Sequence, residues 1–308
     1  MVRGIKIPTL LSKVFMNNAP LLSIVLPCFN EAHVIKQSIL ALKAQLPEIV
    51  EILVIDDGST DGSGKIAEEV GATVVRHPYN IGNGASIKSG IRAAKGEIIV
   101  FIDADGQHDP ADIPKLLEAL KTHGMAVGAR SAHSATYWHR RWANRFFNLF
   151  ASALAGHKIS DLTSGFRALR TADAKRFCEL LPNRFSYPST ITMAFFRTGR
   201  SVAYVPIVTK HRQGTSKISL LSDGVMFLLI ITKIAMLFSP LRVFVPFSML
   251  LFGLGLVRYT QTYLSYGQFT NMSHLLITTS VVIFMLGLVA EQIAALRLQL
   301  VGKNDSGN

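Results

Sequence analysis

Asp103 and Asp105 stand one residue apart at the end of an apolar run, Ile98–Ile102, and are followed by Gly106, Gln107, His108, Asp109 and Pro110. A buried strand that delivers two carboxylates at its carboxyl end points to a ligand site, because open α/β sheets bind ligands along that edge. Two carboxylates with a carboxamide two positions on are hard oxygen donors, suited to Mg²⁺ or Mn²⁺. Such a cation takes one or two carboxylates from the protein and shares its other positions with phosphate oxygens. The bland alternative is a strand that ends in an acidic turn, and the rest of the chain has to decide between them.

The elements expected to position these groups alternate between strand and helix. Ser23–Pro27 is a short apolar run stopped by proline, and Glu51–Ile55 is a second that runs into Asp56-Asp57-Gly58-Ser59-Thr60-Asp61-Gly62. Thr73–Arg76 reads as a third strand, and the Ile98–Ile102 run as the fourth. Helices are expected from Asn30 to about Leu46 with Asn30 as N-cap, from Thr60 or Asp61 to Val70, over Ala85–Lys95 carrying Lys88, and over Pro110–Thr122. This is the βαβ pattern of a mostly parallel sheet covered by helices. In such a sheet the polar ends after Leu26, Ile55 and Ile102 share one edge, and three converging there make a pocket more plausible than an isolated acidic turn. Further on, Met125–Ser131 reads as a strand ending at Arg130, and Tyr137–Ala155 as a helix with Arg140, Arg141 and Arg145 near its start. Helices are expected near Ala172–Leu180 and Thr190–Thr198. A β-rich run, Val202–Lys210, leads into the basic stretch His211–Lys217.

The chain has 308 residues, a formal net charge of +12 and 49% hydrophobic residues. Its mean hydropathy of +0.32 is high for a water-soluble enzyme and asks for membrane segments. Val243–Val257 and Leu275–Ala290 are uncharged apolar runs, extended by flanking residues to about 241–263 and 273–292. The connecting Tyr259–His274 has no Lys or Arg, whereas both flanks do, so the positive-inside rule places both chain ends in the cytoplasm. A pair of buried core helices is the alternative. Residues 221–240 read as a juxtamembrane amphipathic segment. Residues 1–20 lack the apolar core of a signal peptide and read as an interfacial or frayed N-terminal segment. Most of the positive charge precedes the apolar tail, which suits an anionic lipid surface or phosphorylated substrates. Nucleic acid is disfavoured by the absence of a recognition motif. Cys28 and Cys178 are far apart and carry no metal or disulfide spacing, as expected in a reducing compartment.

Six motifs then occur in order: PCFNEA at 27–32, DDGSTDGS at 56–63, NIGNGASIKSGIRAAKG at 80–96, DADGQHDP at 103–110, DLTSGFRA at 161–168 and HRQGTSK at 211–217. Together they resemble the dolichyl- and polyprenyl-phosphate sugar synthases of the family-two glycosyltransferases, over about residues 21–220. The two apolar segments resemble those of membrane-anchored bacterial and archaeal members. The resemblance implies a GT-A, Rossmann-like α/β catalytic domain followed by a transmembrane hairpin. It implies inverting transfer of a sugar from a nucleotide diphosphate to polyprenyl phosphate. A UDP-sugar is the favoured donor, with a GDP-mannose-using mannosyltransferase or a glycolipid acceptor as alternatives. Pro27, Phe29, Glu31 and Asp57 would line the nucleoside side, with Lys88 a donor contact. Asp103, Asp105 and Gln107 would hold Mg²⁺ or Mn²⁺. Arg130, Arg212, Ser216 and Lys217 would hold the acceptor phosphate. Asp161 sits where a catalytic base has been placed in the family. Some relatives with this tail assemble through it, so a homo-oligomer is a further expectation.

The chemistry of the acceptor bears on Asp161. A phosphate monoester has a second pKa of about 6 and is mostly dianionic near neutral pH, so it is already a nucleophile. It needs cations to place it more than a base to activate it. A positioning role for Asp161, paired with Arg167 or another arginine, therefore competes with the base role.

Overall fold

The computed structural model describes residues 22–46, 50–130, 148–153, 155–183, 187–209 and 232–303. The chain divides into two compact units. The first contains residues 1–149 and 158–218, and the second residues 150–157 and 219–308.

The first unit is built on a seven-stranded sheet. Its strands are β1 (Leu22–Cys28), β2 (Val50–Asp56), β3 (Thr73–Arg76), β4 (Ile98–Phe101), β5 (Met125–Arg130), β6 (Arg167–Arg170) and β7 (Val202–Ile207). The order across the sheet is β3-β2-β1-β4-β6-β5-β7. β1 pairs in parallel with β2 and with β4, so the turns that follow these three strands lie along one edge. β6 runs antiparallel to both β4 and β5, while β5 and β7 are parallel. The sheet is thus mixed, a GT-A-like arrangement. The antiparallel strand was not foreseen. Arg-Ala-Leu-Arg is short and charged at both ends, and nothing in it has the apolar run of β1 or β4.

The helices are α1 (Ile35–Gln45), α2 (Ser63–Glu69), α3 (Asn83–Ala93), α4 (Ile113–Ala119), α5 (Thr171–Phe177) and α6 (Tyr187–Arg197), with a 3₁₀ turn at Pro110–Asp112 leading into α4. Each covers the sheet through residues spaced at helical intervals. α1 buries Ile35, Ile39 and Leu42, each contributing about 1.5–3 kcal/mol relative to exposure. α3 buries Ile87 and Ile91 and brings Gly90 onto β1, where an added Cβ would lie 2.3 Å from Val25 Cγ1. α1 starts five residues later than Asn30, the expected cap. Its N-cap is Val34, because residues 30–32 are bonded to the turn after β2 instead.

The second unit carries two long helices, α7 (Leu241–Tyr266) and α8 (Asn271–Lys303). At about 1.5 Å per residue, each exceeds the roughly 30 Å hydrocarbon core of a bilayer. Their apolar stretches have mean hydropathies of 1.6 and 2.0 and are only 11% and 17% buried, unlike core helices. They pack on each other through small residues at seven-residue intervals: Ser248, Gly255 and Thr262 on α7, and Ser273, Ser280, Gly287 and Ala294 on α8. A Cβ on Gly255 would lie 2.8 Å from Ile277 Cγ1, and one on Gly287 2.6 Å from Phe244 Cβ. Small residues let helix backbones approach, which is how apolar helices associate where burial from water offers no driving force. The turn between them is made by Gly267 at φ 64, whose N–H donates to Tyr263 O at 2.8 Å.

Candidate active site

The turns after β1 and β2 are bonded to each other. Asn30 has φ 55, a left-handed conformation that asparagine tolerates better than most side chains. From there its N–H donates to Ser59 Oγ at 3.0 Å, and its Oδ1 accepts from Thr60 N at 2.9 Å. Glu31 N donates to Ser63 Oγ, and Ala32 N to Asp61 Oδ2. The rigid double turn leaves Phe29 45% exposed, beside the last residues of β1, which include Pro27. Burial pushes the neighbouring Cys28 thiol up to about 12, so it is a packing residue rather than a nucleophile.

Asp57 is buried at the end of this edge. Its Oδ1 accepts from His77 Nδ1 at 2.7 Å and from Ile81 N at 3.0 Å, and its Oδ2 from Gly82 N at 2.8 Å. His77 Nε2 lies 2.8 Å from Ser89 Oγ on α3. The carboxylate thus fixes the glycine-rich turn that precedes α3. His77 follows β3, and no local pattern ties it to an aspartate 20 positions earlier. Lys88, also on α3, donates to Asn183 Oδ1 at 2.8 Å.

The turn after β4 carries the acidic pair. Asp105 Oδ1 accepts from Gln107 N at 3.2 Å. Asp103 has a side chain 34% exposed, and its Oδ2 lies 3.9 Å from His108 Nε2. His108 stacks on Phe166 with ring centroids 5.0 Å apart. Burial pushes its pKa down to about 4, against the charge of Asp105, so the ring is neutral near pH 7. Its Nδ1 is buried and has no partner among the described residues.

Gly165 brings the later acidic motif to the same place. A Cβ there would lie 2.7 Å from Asp103 Oδ2, so any side chain at this position would displace the carboxylate. Two devices hold the Gly165 turn. Tyr187 OH donates to Gly165 O at 3.1 Å. Arg167, fully buried, donates from Nε to Ser164 O at 3.1 Å, and from Nη1 to Pro188 O at 2.8 Å and Thr192 Oγ1 at 3.1 Å. Burial holds the Arg167 pKa below its usual range.

Asp161 pairs with Arg130, not Arg167. Its Oδ2 accepts from Arg130 Nε at 2.8 Å, and its Oδ1 from Arg130 Nη2 at 2.9 Å. Arg130 N, Thr163 N and Ser164 N add backbone bonds of 3.1–3.2 Å. Burial favours the neutral acid, but the hydrogen bonds and charge of Arg130 outweigh it and hold the carboxyl below its ordinary range. For Arg130, burial opposes the charge, and the Asp161 hydrogen bond and the charges of Asp161 and Asp103 prevail, raising its pKa. Arg130 Nη2 also bonds Thr163 Oγ1. Arg212, Ser216 and Lys217, like Arg140, Arg141 and Arg145, lie outside the described residues.

Among the described residues no cluster of three or more His, Cys, Asp or Glu could hold a metal by itself. Asp103, Asp105 and Gln107 instead offer hard oxygen donors from one turn, with the Asp103 carboxylate closely packed on Gly165. The donor set fits Mg²⁺ or Mn²⁺ completed by substrate oxygens.

A mixed GT-A-like sheet with acidic turns along one edge, in a chain that also carries two helices long and apolar enough to cross a membrane, is the arrangement of a glycosyltransferase. Residues 23–177 match the model of glycosyl transferase family 2, and the chain belongs to that family. Residues 239–296 match the GtrB C-terminal hairpin. The chain is 31% identical over 226 residues to an uncharacterised protein of Methanocaldococcus jannaschii, covering 68% of this chain and 91% of that one. It is 29% identical over 211 residues to the undecaprenyl-phosphate mannosyltransferase of Micrococcus luteus, covering 63% and 86%. Its fold resembles that of glucosyl-3-phosphoglycerate synthase from Mycobacterium tuberculosis in complex with Mn²⁺, UDP-glucose and phosphoglyceric acid. That match has a TM-score of 0.60 and 23% identity, and covers 76% of this chain and 84% of that one.

Proposed function

We propose that this protein transfers a sugar, with inversion, from a nucleoside-diphosphate sugar to the phosphate of a membrane polyprenol at the cytoplasmic face. The observation that carries this reading is the meeting of two motifs at Asp103 and Gly165. One belongs to the acidic turn after β4, suited to a diphosphate. The other belongs to the turn anchored by Asp161 and Arg130, where a second phosphate would be received. In this reading residues 21–220 are the catalytic domain, 221–240 a juxtamembrane segment and 241–308 the membrane hairpin with a cytoplasmic tail.

Asp103, Asp105 and Gln107 would hold Mg²⁺ or Mn²⁺. When bound, the cation neutralises charge on the departing diphosphate as a Lewis acid. Pro27, Phe29, Glu31 and Asp57 line the donor side, with Lys88 near its end. Arg212, Ser216 and Lys217, with Arg130, place the acceptor dianion. One of its oxygens attacks the anomeric carbon from the face opposite the diphosphate, and the nucleoside diphosphate leaves. The acceptor carries no proton that must be removed for this attack. Asp161, held below the ordinary carboxyl range and surrounded by donors, is a weak base and serves to hold Arg130.

A UDP-sugar is the favoured donor. GDP-mannose is the second reading, supported by the named activity of the Micrococcus luteus relative. UDP- and GDP-sugars offered singly with undecaprenyl phosphate, with product read by mass spectrometry, distinguish them. The expected product is a polyprenyl-phosphate monosaccharide, formed with added Mg²⁺ or Mn²⁺ and not with EDTA. Absence of product with every donor would overturn the reading.

A further inference from the structure

From the two bonds that Asn148 makes on either side of Asp161, we infer that Asn148 is a positioning residue for the acceptor phosphate, acting through Asp161 on Arg130. This rests on the acceptor reading above and deepens it. Asn148 stands in a helical segment, residues 148–153, and reaches a turn 12 to 14 positions further along the chain. Its Nδ2 donates to Ser160 O at 2.6 Å, and its Oδ1 accepts from Leu162 N at 3.0 Å. Ser160 O belongs to the peptide group before Asp161, and Leu162 N to the one after it. One side chain therefore fixes both peptide planes around the acid. A carbonyl only accepts and a backbone N–H only donates, so the partners set which way the amide points. An aspartate at this position would set an oxygen against Ser160 O.

The direction of the Asp161 side chain follows from those two planes. Its Oδ1 accepts from Thr163 N and Ser164 N of its own turn, both at 3.1 Å, and its two oxygens together hold the Nε and Nη2 edge of Arg130. Arg130 Nη1 keeps no partner among the described residues. The guanidinium is planar, so the edge that Asp161 holds sets where Nη1 points, and Nη1 is the nitrogen left to meet a phosphate oxygen. A shift of the turn carries the carboxylate with it and re-aims that nitrogen. The Asn148 clamp is not a core contact, since its bond to Ser160 O is exposed. Alanine and leucine are better helix formers than asparagine, so replacing Asn148 by either keeps the helical segment and removes only the clamp.

The test is titration of the full-length protein in lipid nanodiscs with farnesyl phosphate, a short prenyl phosphate, and separately with UDP and with GDP in the presence of Mg²⁺. Losing one hydrogen bond to a charged group weakens binding about 10- to 150-fold. Asn148→Ala is expected to weaken farnesyl phosphate within that range and to leave nucleotide affinity unchanged. In turnover, the KM for undecaprenyl phosphate is expected to rise while the KM for the nucleotide sugar stays. Asn148→Leu, which keeps the bulk of the side chain, is expected to do the same and stands in should the alanine variant fail to fold. On an Arg130→Met background, Asn148→Ala is expected to add nothing further, because its effect runs through the guanidinium. Wild-type affinity for farnesyl phosphate in either Asn148 variant would overturn the inference. So would an equal loss of nucleotide affinity, or a full additional loss on the Arg130→Met background. Failure of the wild-type protein to bind farnesyl phosphate while it binds a nucleotide would overturn the acceptor reading itself, and this inference with it.

Discussion

Replacing Asp161 by Asn separates its two candidate roles. The side chain accepts two bonds from the Arg130 guanidinium and one from the Arg130 backbone N–H, and further bonds from Thr163 N and Ser164 N. Asparagine removes the charge and turns one acceptor into a donor that faces N–H groups. Arg130 is then left largely buried without its counter-charge. Breaking a buried ion pair by removing one partner costs about 3–5 kcal/mol. The Arg130 side chain is 30% exposed, so the lower figure of about 3 kcal/mol applies. For a unit of this size that lowers Tm by roughly 6–12 °C. Thermal unfolding of the full-length protein in detergent should show this drop for Asp161→Asn and a similar one for Arg130→Met. The double variant should lose little more than either single one, because the two residues act as a unit. The pH dependence has a definite sign. The folded carboxyl is held below its unfolded value near 3.8. Its contribution is therefore fully present above that value and lost as pH falls through the lower folded pKa. The Tm gap between wild type and Asp161→Asn should stay constant from pH 8 to 6 and close only in strong acid. A general-base role makes a different prediction: turnover lost in Asp161→Asn at unchanged Tm, with Arg130→Met active. That result would refute the positioning role.

Three other substitutions probe the rest of the site. Gly165→Ala places a Cβ 2.7 Å from Asp103 Oδ2. It should lower turnover about 100-fold by displacing that carboxylate, while overpacking costs only about 1–3 kcal/mol of stability; wild-type initial rates would show that Asp103 is not held for the reaction. Asp105→Ala should abolish transfer and leave membrane insertion intact, and full activity in that variant under EDTA would remove the metal site from the mechanism. Lys217→Ala should raise the requirement for polyprenyl phosphate more than for nucleotide sugar, and the reverse ranking would reassign the basic stretch to the donor.

The parts of this molecule legible in the sequence are those whose signal is local. β1, β2 and β4 are apolar runs that end in proline or aspartate. Their parallel pairing brings those ends to one edge, as the alternation with helices implies. The two long apolar helices are legible for the same reason, since their continuous apolar length is written in the sequence. In the structure the hairpin helices run past the expected ends, to Tyr266 and Lys303, because a helix does not stop where its apolar stretch does.

What the sequence hid are pairings across distance, and most of the site consists of these. Asn30 carries a good capping side chain, but its oxygen goes to Thr60 in another turn, and α1 starts without it. Asp161 has Arg167 nearby in the chain, yet pairs with Arg130, 31 positions away. The reason is topological. β6, which starts at Arg167, runs antiparallel to β5, which ends at Arg130. That pairing sets the turn before β6 beside the end of β5, so Asp161 meets the Arg130 backbone and guanidinium together. Arg167 lies within β6, where its side chain turns into the core and its donors go to carbonyl oxygens. One short strand without a local signature thus decides which arginine the acid meets. It also decides that Gly165 lies against Asp103, joining the two halves of the proposed reaction site.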